Sequence, residues 1–135
     1  MPTPAVRFRV DFGRDEAVGP GKIALLEHIG RGGSLSQAAR ELGMSYRRAW
    51  QLLASLNGSF RKPVAVTAKG GRGGGGATLT QFGQLLIRAY RDFDAEVQTR
   101  AAQRFRPISG QARSRGPRSR PRARKVAPVM PLKDR

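Results

Sequence analysis

Residues 34–57 read SLSQAARELGMSYRRAWQLLASLN, and the way this stretch folds decides the rest. Leu35, Ala38, Ala39 and Leu42 recur at helical spacing and give SLSQAARELG one apolar face. Ser34 followed by Gln37 is a capping-box pattern, in which hydroxyl and amide satisfy free backbone donors reciprocally. Gly43 breaks this helix, and Ser45 is placed to cap a second one. In the second helix Ala49, Leu52, Leu53 and Leu56 form the stripe, and Asn57-Gly58 is the expected stop. Two short helices joined through one glycine, with alanines where they approach, make a helix-turn-helix pattern. An alanine-rich helical hairpin satisfies part of the same pattern.

Upstream, VGPGKIALLEHIGRGG carries Ile23, Leu25, Leu26 and Ile29 on one helical face, and Gly30 to Gly33 end it. Before it, VRFRVDF alternates. Val6, Phe8, Val10 and Phe12 face one way and Arg7, Arg9 and Asp11 the other, as in a half-buried strand. Downstream, KPVAVTA predicts a short strand with Val64 and Val66 on one face and Pro63 at its start. ATLT is its pairing partner. Then TQFGQLLIRAYRDFDAEVQTRAA predicts a long amphipathic helix capped by Thr80, with a stripe of Phe82, Leu85, Leu86, Ala89, Tyr90, Phe93 and Val97.

Between the two strands lies KGGRGGGG. Gly71, Gly73 and Gly76 formally match G-x-G-x-x-G, but a dinucleotide fingerprint runs from strand through loop directly into helix within a βαβ unit. Here ATLT intervenes, and no Gly-Lys-Ser/Thr follows for a phosphate loop. A nucleotide-holding enzyme is therefore not expected. A glycine-built hairpin tip carrying Lys69 and Arg72 fits the wing of a winged helix, reaching a DNA backbone or a minor groove, where arginine is favoured. A loop with incidental charge is the plainer reading.

Charge limits the partners. The 135 residues hold 26 Lys and Arg against 9 Asp and Glu, a net of +17, which attracts polyanions. Up to Gln103 there are 15 basic and 8 acidic residues, and from Arg104 onward 11 and 1. That shift, with the Pro, Ser, Gly and Arg of residues 104–135 and no apolar period, predicts a disordered cationic tail after a domain spanning 1–103. The tail is either a solvated linker or a sequence-independent phosphate binder. Nucleic acid is the first candidate and an anionic membrane the second by charge alone, though no membrane partner is expected; no apolar run is long enough for a transmembrane helix, and the first twelve residues lack the apolar region of a secretory signal. Cysteine is absent, which removes disulfides and thiolate metal sites. His28 is the only histidine and reads as an ordinary helix residue. Asp92, Asp94 and Glu96 lie among Arg91 and Arg100 on a polar helix face and make no acid–base pair. Neither catalysis nor a cofactor nor a metal is expected.

The stretches GKIALLEHIGRGGSLSQAARELGMSYRRAWQLLASLN and KGGRGGGGATLTQFGQLLI, with the leading strand, resemble the N-terminal domain of the molybdate-responsive ModE regulators, relatives of the LysR-type winged helix. The resemblance covers roughly residues 6–102. It implies a mainly α fold with a small antiparallel hairpin, a winged helix-turn-helix with a long last helix, and a dimeric, sequence-specific regulator bound to double-stranded DNA in the cytoplasm, at the nucleoid. By position it implies that a recognition helix of about 45–57 presents Ser45, Tyr46, Arg47, Arg48 and Gln51 to DNA. A wing of about 68–77 adds Lys69 and Arg72. Members of that family carry C-terminal molybdate-binding domains; here the Arg/Pro tail stands in their place, so no molybdate site is expected in this chain. A basic nucleoid-associated protein with little sequence choice is the alternative.

The residues suggest roles within that frame. One of Arg47 and Arg48 is expected to bridge O6 and N7 of a guanine and the other to hold a phosphate. Gln51 reads adenine or is simply solvated. Ser45 caps the helix, donates to a phosphate, or does both, and Tyr46 reaches phosphate through its hydroxyl or packs at the helix start. Trp50 is expected to pack between helix and wing. Tyr90, Phe93 and Val97 extend beyond what a small domain needs to cover, and a second copy would bury them.

Overall fold

The computed structural model describes residues 3–13, 17–68 and 76–113. The elements run β1 (Val10–Asp11), β2 (Ala17–Val18), α1 (Pro20–Gly32), α2 (Leu35–Leu42), α3 (Tyr46–Ser59), β3 (Ala65–Thr67), β4 (Ala77–Leu79), α4 (Gln81–Arg104) and α5 (Arg106–Ser109). This is the mainly α arrangement with a small antiparallel hairpin that the sequence implied.

Pro20 opens α1, where its missing N–H costs nothing. Gly33 closes it at φ 72°, a left-handed conformation open to glycine at no steric cost. Gly43 does the same for α2, also at φ 72°. The Ser34 hydroxyl accepts the Gln37 N–H at 2.9 Å, so half of the capping box is present. The other half is not: the Gln37 amide donates forward to Glu41 at 3.0 Å. Glu41 also meets His28 Nδ1 at 2.7 Å, which clips α2 to α1. These bonds with His28 and Gln37 hold the Glu41 carboxyl below its usual pKa.

Ile23, Leu25, Leu26, Ile29, Leu35, Ala38, Ala39, Ala49, Leu53 and Leu56 form the core where α1, α2 and α3 meet, joined by Val18, Val64, Ala65, Ala77, Leu86 and Tyr90. Ala38 and Ala39 let α3 approach α2 closely, as their small size requires.

The hairpin pairs Ala65 with Leu79, Val66 with Thr78 and Thr67 with Ala77. Its inward phase differs from expectation. Val64 is fully buried but precedes the strand, Ala65 points inward, and Val66 is half exposed. The return strand is tied back to the turn after α1, because the Ala77 N–H donates to the Gly33 carbonyl at 2.9 Å and Ser34 bridges Gly76.

Asn57, expected to stop α3, instead sits inside it, and the helix runs on to Ser59. The reason lies in its side chain. Asn57 Oδ1 accepts the Val64 N–H at 2.7 Å and Nδ2 donates to the Ala65 carbonyl at 3.1 Å, so the amide acts as a strand partner for the root of the hairpin. Asn57→Ala leaves both backbone groups without these bonds in a partly buried place. It is expected to destabilise by about 2 kcal/mol, read from the urea midpoint.

The leading strand is shorter than its alternation implied. The in–out pattern holds from Val6 to Asp11, yet only Val10–Asp11 pairs, with Val18 and Ala17. Phe12, expected inward, is 52% exposed and rests edge-on against Phe60. From Thr3 the chain lies along α4, held by side chains. The Gln98 amide both accepts the Val6 N–H at 3.0 Å and donates to the Val6 carbonyl at 2.8 Å. The Tyr90 hydroxyl donates to the Phe8 carbonyl at 2.8 Å, and Phe8 stacks on the Tyr90 ring with centroids 4.7 Å apart. Burial, and next the charge of Asp94, push the Tyr90 hydroxyl pKa upward.

On the neighbouring side, Arg91 grips Glu27 of α1 with both prongs, Nε and Nη2, at 2.8 Å each. That hydrogen bonding leads the fall in the Glu27 pKa from 4.5. A carboxyl lowered by folding stabilises fully above its unfolded pKa and loses that contribution as pH falls through the folded value. Glu27→Gln is therefore expected to cost about 0.5–1 kcal/mol at neutral pH, screened because both groups are partly exposed, and progressively less as the solution is acidified below the usual carboxylate range. Urea midpoints along an acid series check this.

Helix α4 ends at Arg104, and a further turn, Arg106–Ser109, follows. Helical structure thus extends past the boundary expected at 103. Residues 114–135 of the expected tail lie outside the described residues, as do Lys69 and Arg72 of the hairpin tip.

Candidate nucleic-acid interface

The turn between α2 and α3 aims the N-terminal end of α3 outward. Gly43 donates back to Arg40 and Met44 to Ala39, which reverses the chain within two residues. Ser45 then caps α3, its hydroxyl accepting the Arg48 N–H at 3.0 Å. With Ala49, Leu53 and Leu56 pinned in the core, the 3.6-residue repeat turns the remaining positions to solvent.

Ser45, Tyr46, Arg47, Arg48 and Gln51 are all exposed, and within 45–51 only Ala49 is buried. The structure therefore brings five of the seven expected DNA contacts onto one protruding surface; the other two, Lys69 and Arg72, are the residues outside the description. Neither Arg47 nor Arg48 has a side-chain hydrogen bond or ion pair among the described residues. Two uncommitted guanidiniums beside a helix N-terminus favour an anionic partner on both counts.

Trp50, expected to pack between helix and wing, stands 53% exposed, one turn after Tyr46, which is equally exposed; residues 69–75 of the wing lie outside the described residues. Tyr46 and Trp50 form one row along α3, and Arg47 and Gln51 form the row beside it. Farther along come exposed Ala54 and Gly58, too small to keep a flat surface away.

The family model for bacterial regulatory helix-turn-helix proteins of the lysR family matches residues 21–84, from the start of α1 to the first turn of α4. Residues 21–84, just under half of the chain, are similar to a LysR-type helix-turn-helix domain. Similar proteins include the molybdenum-pterin-binding protein MopB of Rhodobacter capsulatus, 48% identical over 80 residues, 59% of this chain and 30% of that protein. The DNA-binding transcriptional dual regulator ModE of Escherichia coli K12 is 44% identical over 82 residues, 61% of this chain and 31% of its own. The molybdenum transport protein ModE of Azotobacter vinelandii is 34% identical over 113 residues, 78% of this chain and 42% of its own. The chain spans about a third of the length of the first two. The LysR-type domain contains the whole exposed face of α3 and the hairpin root. The Glu27–Arg91 pair joins it to the rest of α4.

The residues expected at a dimer interface divide. Tyr90 is covered within the chain, 6% exposed, by Phe8. Phe93 is 47% exposed and Val97 half-buried. Both line an open groove of about 1080 Å³ along α4, with Val6, Arg100 and Phe105. Among the described residues no group of His, Cys, Asp and Glu could hold a metal, and no helix is long and apolar enough to cross a membrane.

Proposed function

We propose that this chain is a sequence-specific, DNA-binding transcription regulator that presents α3 to the major groove. The observation that carries the reading is the run Ser45–Gln51, exposed at every position but Ala49 and holding two cations with no side-chain partner among the described residues. A helix entering a major groove needs its N-terminal side chains free to reach base edges. The printed description of the Escherichia coli relative, a DNA-binding transcriptional dual regulator, supports the same reading. Lys69 and Arg72 would add backbone or minor-groove contacts from the hairpin tip. The basic residues after Arg104 would add phosphate contacts without sequence preference. The protein works in the cytoplasm, at the nucleoid, and is not an enzyme.

The regulator acts as a homodimer. Phe93 and Val97 offer the apolar contact, with Tyr90 bracing Phe8 beneath them, and a two-fold axis across α4 would set two recognition helices on one side of the duplex. Sedimentation of the full chain tests this, and a monomer mass that does not rise with concentration rules it out.

The net charge of +17 favours one other reading, a basic architectural protein with little sequence choice. Selection of bound duplexes from random DNA at rising salt separates the two. A regulator enriches one motif and keeps a large preference for it as salt rises. An architectural protein enriches nothing and loses affinity for all duplexes alike. Repeating the selection with molybdate present shows whether that anion alters the choice.

A further inference from the structure

We propose that Trp50 is a base-reading residue whose indole covers the C5-methyl group of a thymine. The proposal rests on the reading of α3 as the DNA-facing helix. Trp50 is the only tryptophan in the chain, and 53% of its surface is left in water. A side chain of this size contributes heavily to a core when buried, and this one is instead held out on the face of α3. Among the described residues no aromatic ring stacks on it, and no hydrogen bond engages its indole N–H. Tyr46, also 53% exposed, lies one turn before it and extends the apolar surface.

The outer face of α3 therefore carries two kinds of chemistry side by side. Arg47 and Gln51 make a hydrogen-bonding row; Tyr46 and Trp50 make an apolar row. The major groove offers the same two features. Base edges present donors and acceptors, and the thymine methyl is the apolar group among them. A protein partner would match the apolar row but not the paired arginines. A bare phosphate backbone would match the arginines and leave the indole face uncovered. Ala54, one turn beyond Trp50, is exposed and small, so α3 itself raises no bulky side chain beyond the indole.

The test uses the full chain and a short duplex recovered by selection from random DNA. Binding is followed by the anisotropy of a dye on the duplex, a readout that does not depend on tryptophan. Each thymine is replaced in turn by deoxyuridine, which removes only the methyl. For the native chain, one replacement is expected to weaken binding about three- to fivefold, the worth of one buried methyl group. Trp50→Ala is expected to bind more weakly and to lose its response to that same replacement. Trp50→Phe, which keeps an apolar ring, should retain most of the response. Tryptophan emission of the native chain should change as the duplex saturates. Trp50→Ala that still responds to the deoxyuridine overturns the proposal. So does a loss of affinity equal on every duplex, which would mean contact with sugar and phosphate, and so does emission that stays constant on binding. Failure to recover any preferred duplex defeats the reading of α3 itself and is distinct from these results.

Discussion

Gly83→Ala will lower the stability of the protein by about 3 kcal/mol, although alanine is the better helix former. Gly83 lies in the first turn of α4, and a Cβ there would overlap the carbonyl oxygen of Val64. That oxygen is held in place, because it accepts the Thr80 N–H at 3.0 Å and lies 3.1 Å from the Thr80 hydroxyl, which it shares with the Pro63 carbonyl at 2.7 Å. The same Thr80 oxygen accepts the Gly83 N–H at 2.9 Å. One crossing of helix on strand root thus depends on four backbone and hydroxyl groups and on the missing side chain. Helix propensity alone would favour the substitution by about 1 kcal/mol, and overpacking of about 1–3 kcal/mol or more opposes it. Because Val64 and Thr80 hold each other, the steric cost falls at the upper end and wins. Gly58→Ala is the control. It also lies within a helix, with nothing within 4 Å of its would-be Cβ, and it should stabilise by about 0.5–1 kcal/mol. Urea midpoints decide the matter. A Gly83→Ala protein as stable as the native one would mean that α4 does not rest on Val64.

The second large effect is on binding. Arg47→Ala with Arg48→Ala is expected to reduce affinity for a selected duplex by about a hundredfold or more. A well-formed arginine–guanine pair contributes about 1–3 kcal/mol of discrimination, and the phosphate contact adds to it. Both guanidiniums are exposed and have no partner among the described residues, so the melting temperature should hardly move. That separates lost contacts from lost folding. The single substitutions then divide the work. The base-reading arginine, once removed, flattens the preference between the selected duplex and its point variants. The phosphate-holding one weakens all duplexes alike and lowers the salt slope by about one. Two singles that both leave the preference intact would remove arginine from sequence reading here.

The three helices of the reader were legible because each follows from a local rule. Ile23 to Ile29, Leu35 to Leu42 and Ala49 to Leu56 repeat at the helical period, and Gly33 and Gly43 stand where a left-handed residue is needed. What could not be read is whatever depends on two distant segments meeting. The alternation of residues 6–11 announced an extended chain, but nothing local says that Gln98, more than ninety positions away by sequence, would replace a neighbouring strand. Asn57 followed by glycine has the composition of a helix stop, and the helix overrides it because the hairpin root takes up the side chain. The phase of Val64 and Val66 was misjudged for a similar reason: the bend under α4 uses Val64, so the ladder begins one residue later. Trp50, expected between helix and wing, is 53% exposed because Ala49 and Leu53 already take the inner face of α3. The expected DNA contacts on α3 were implied by the family resemblance, and their exposure follows from helical geometry, since burying Ala49 turns its neighbours outward.

The Gly33–Ala77 and Ser34–Gly76 links, together with Asn57 on Val64 and Ala65, fasten both legs of the hairpin to the same three-helix block. The root of the hairpin and the exposed face of α3 are consequently set on one block and keep a fixed offset from each other. If α3 meets a duplex as proposed, the strands that lead into the hairpin cannot swing separately to suit it, so the DNA would have to do the adjusting, and duplexes that already fit that offset would dock with the least bending.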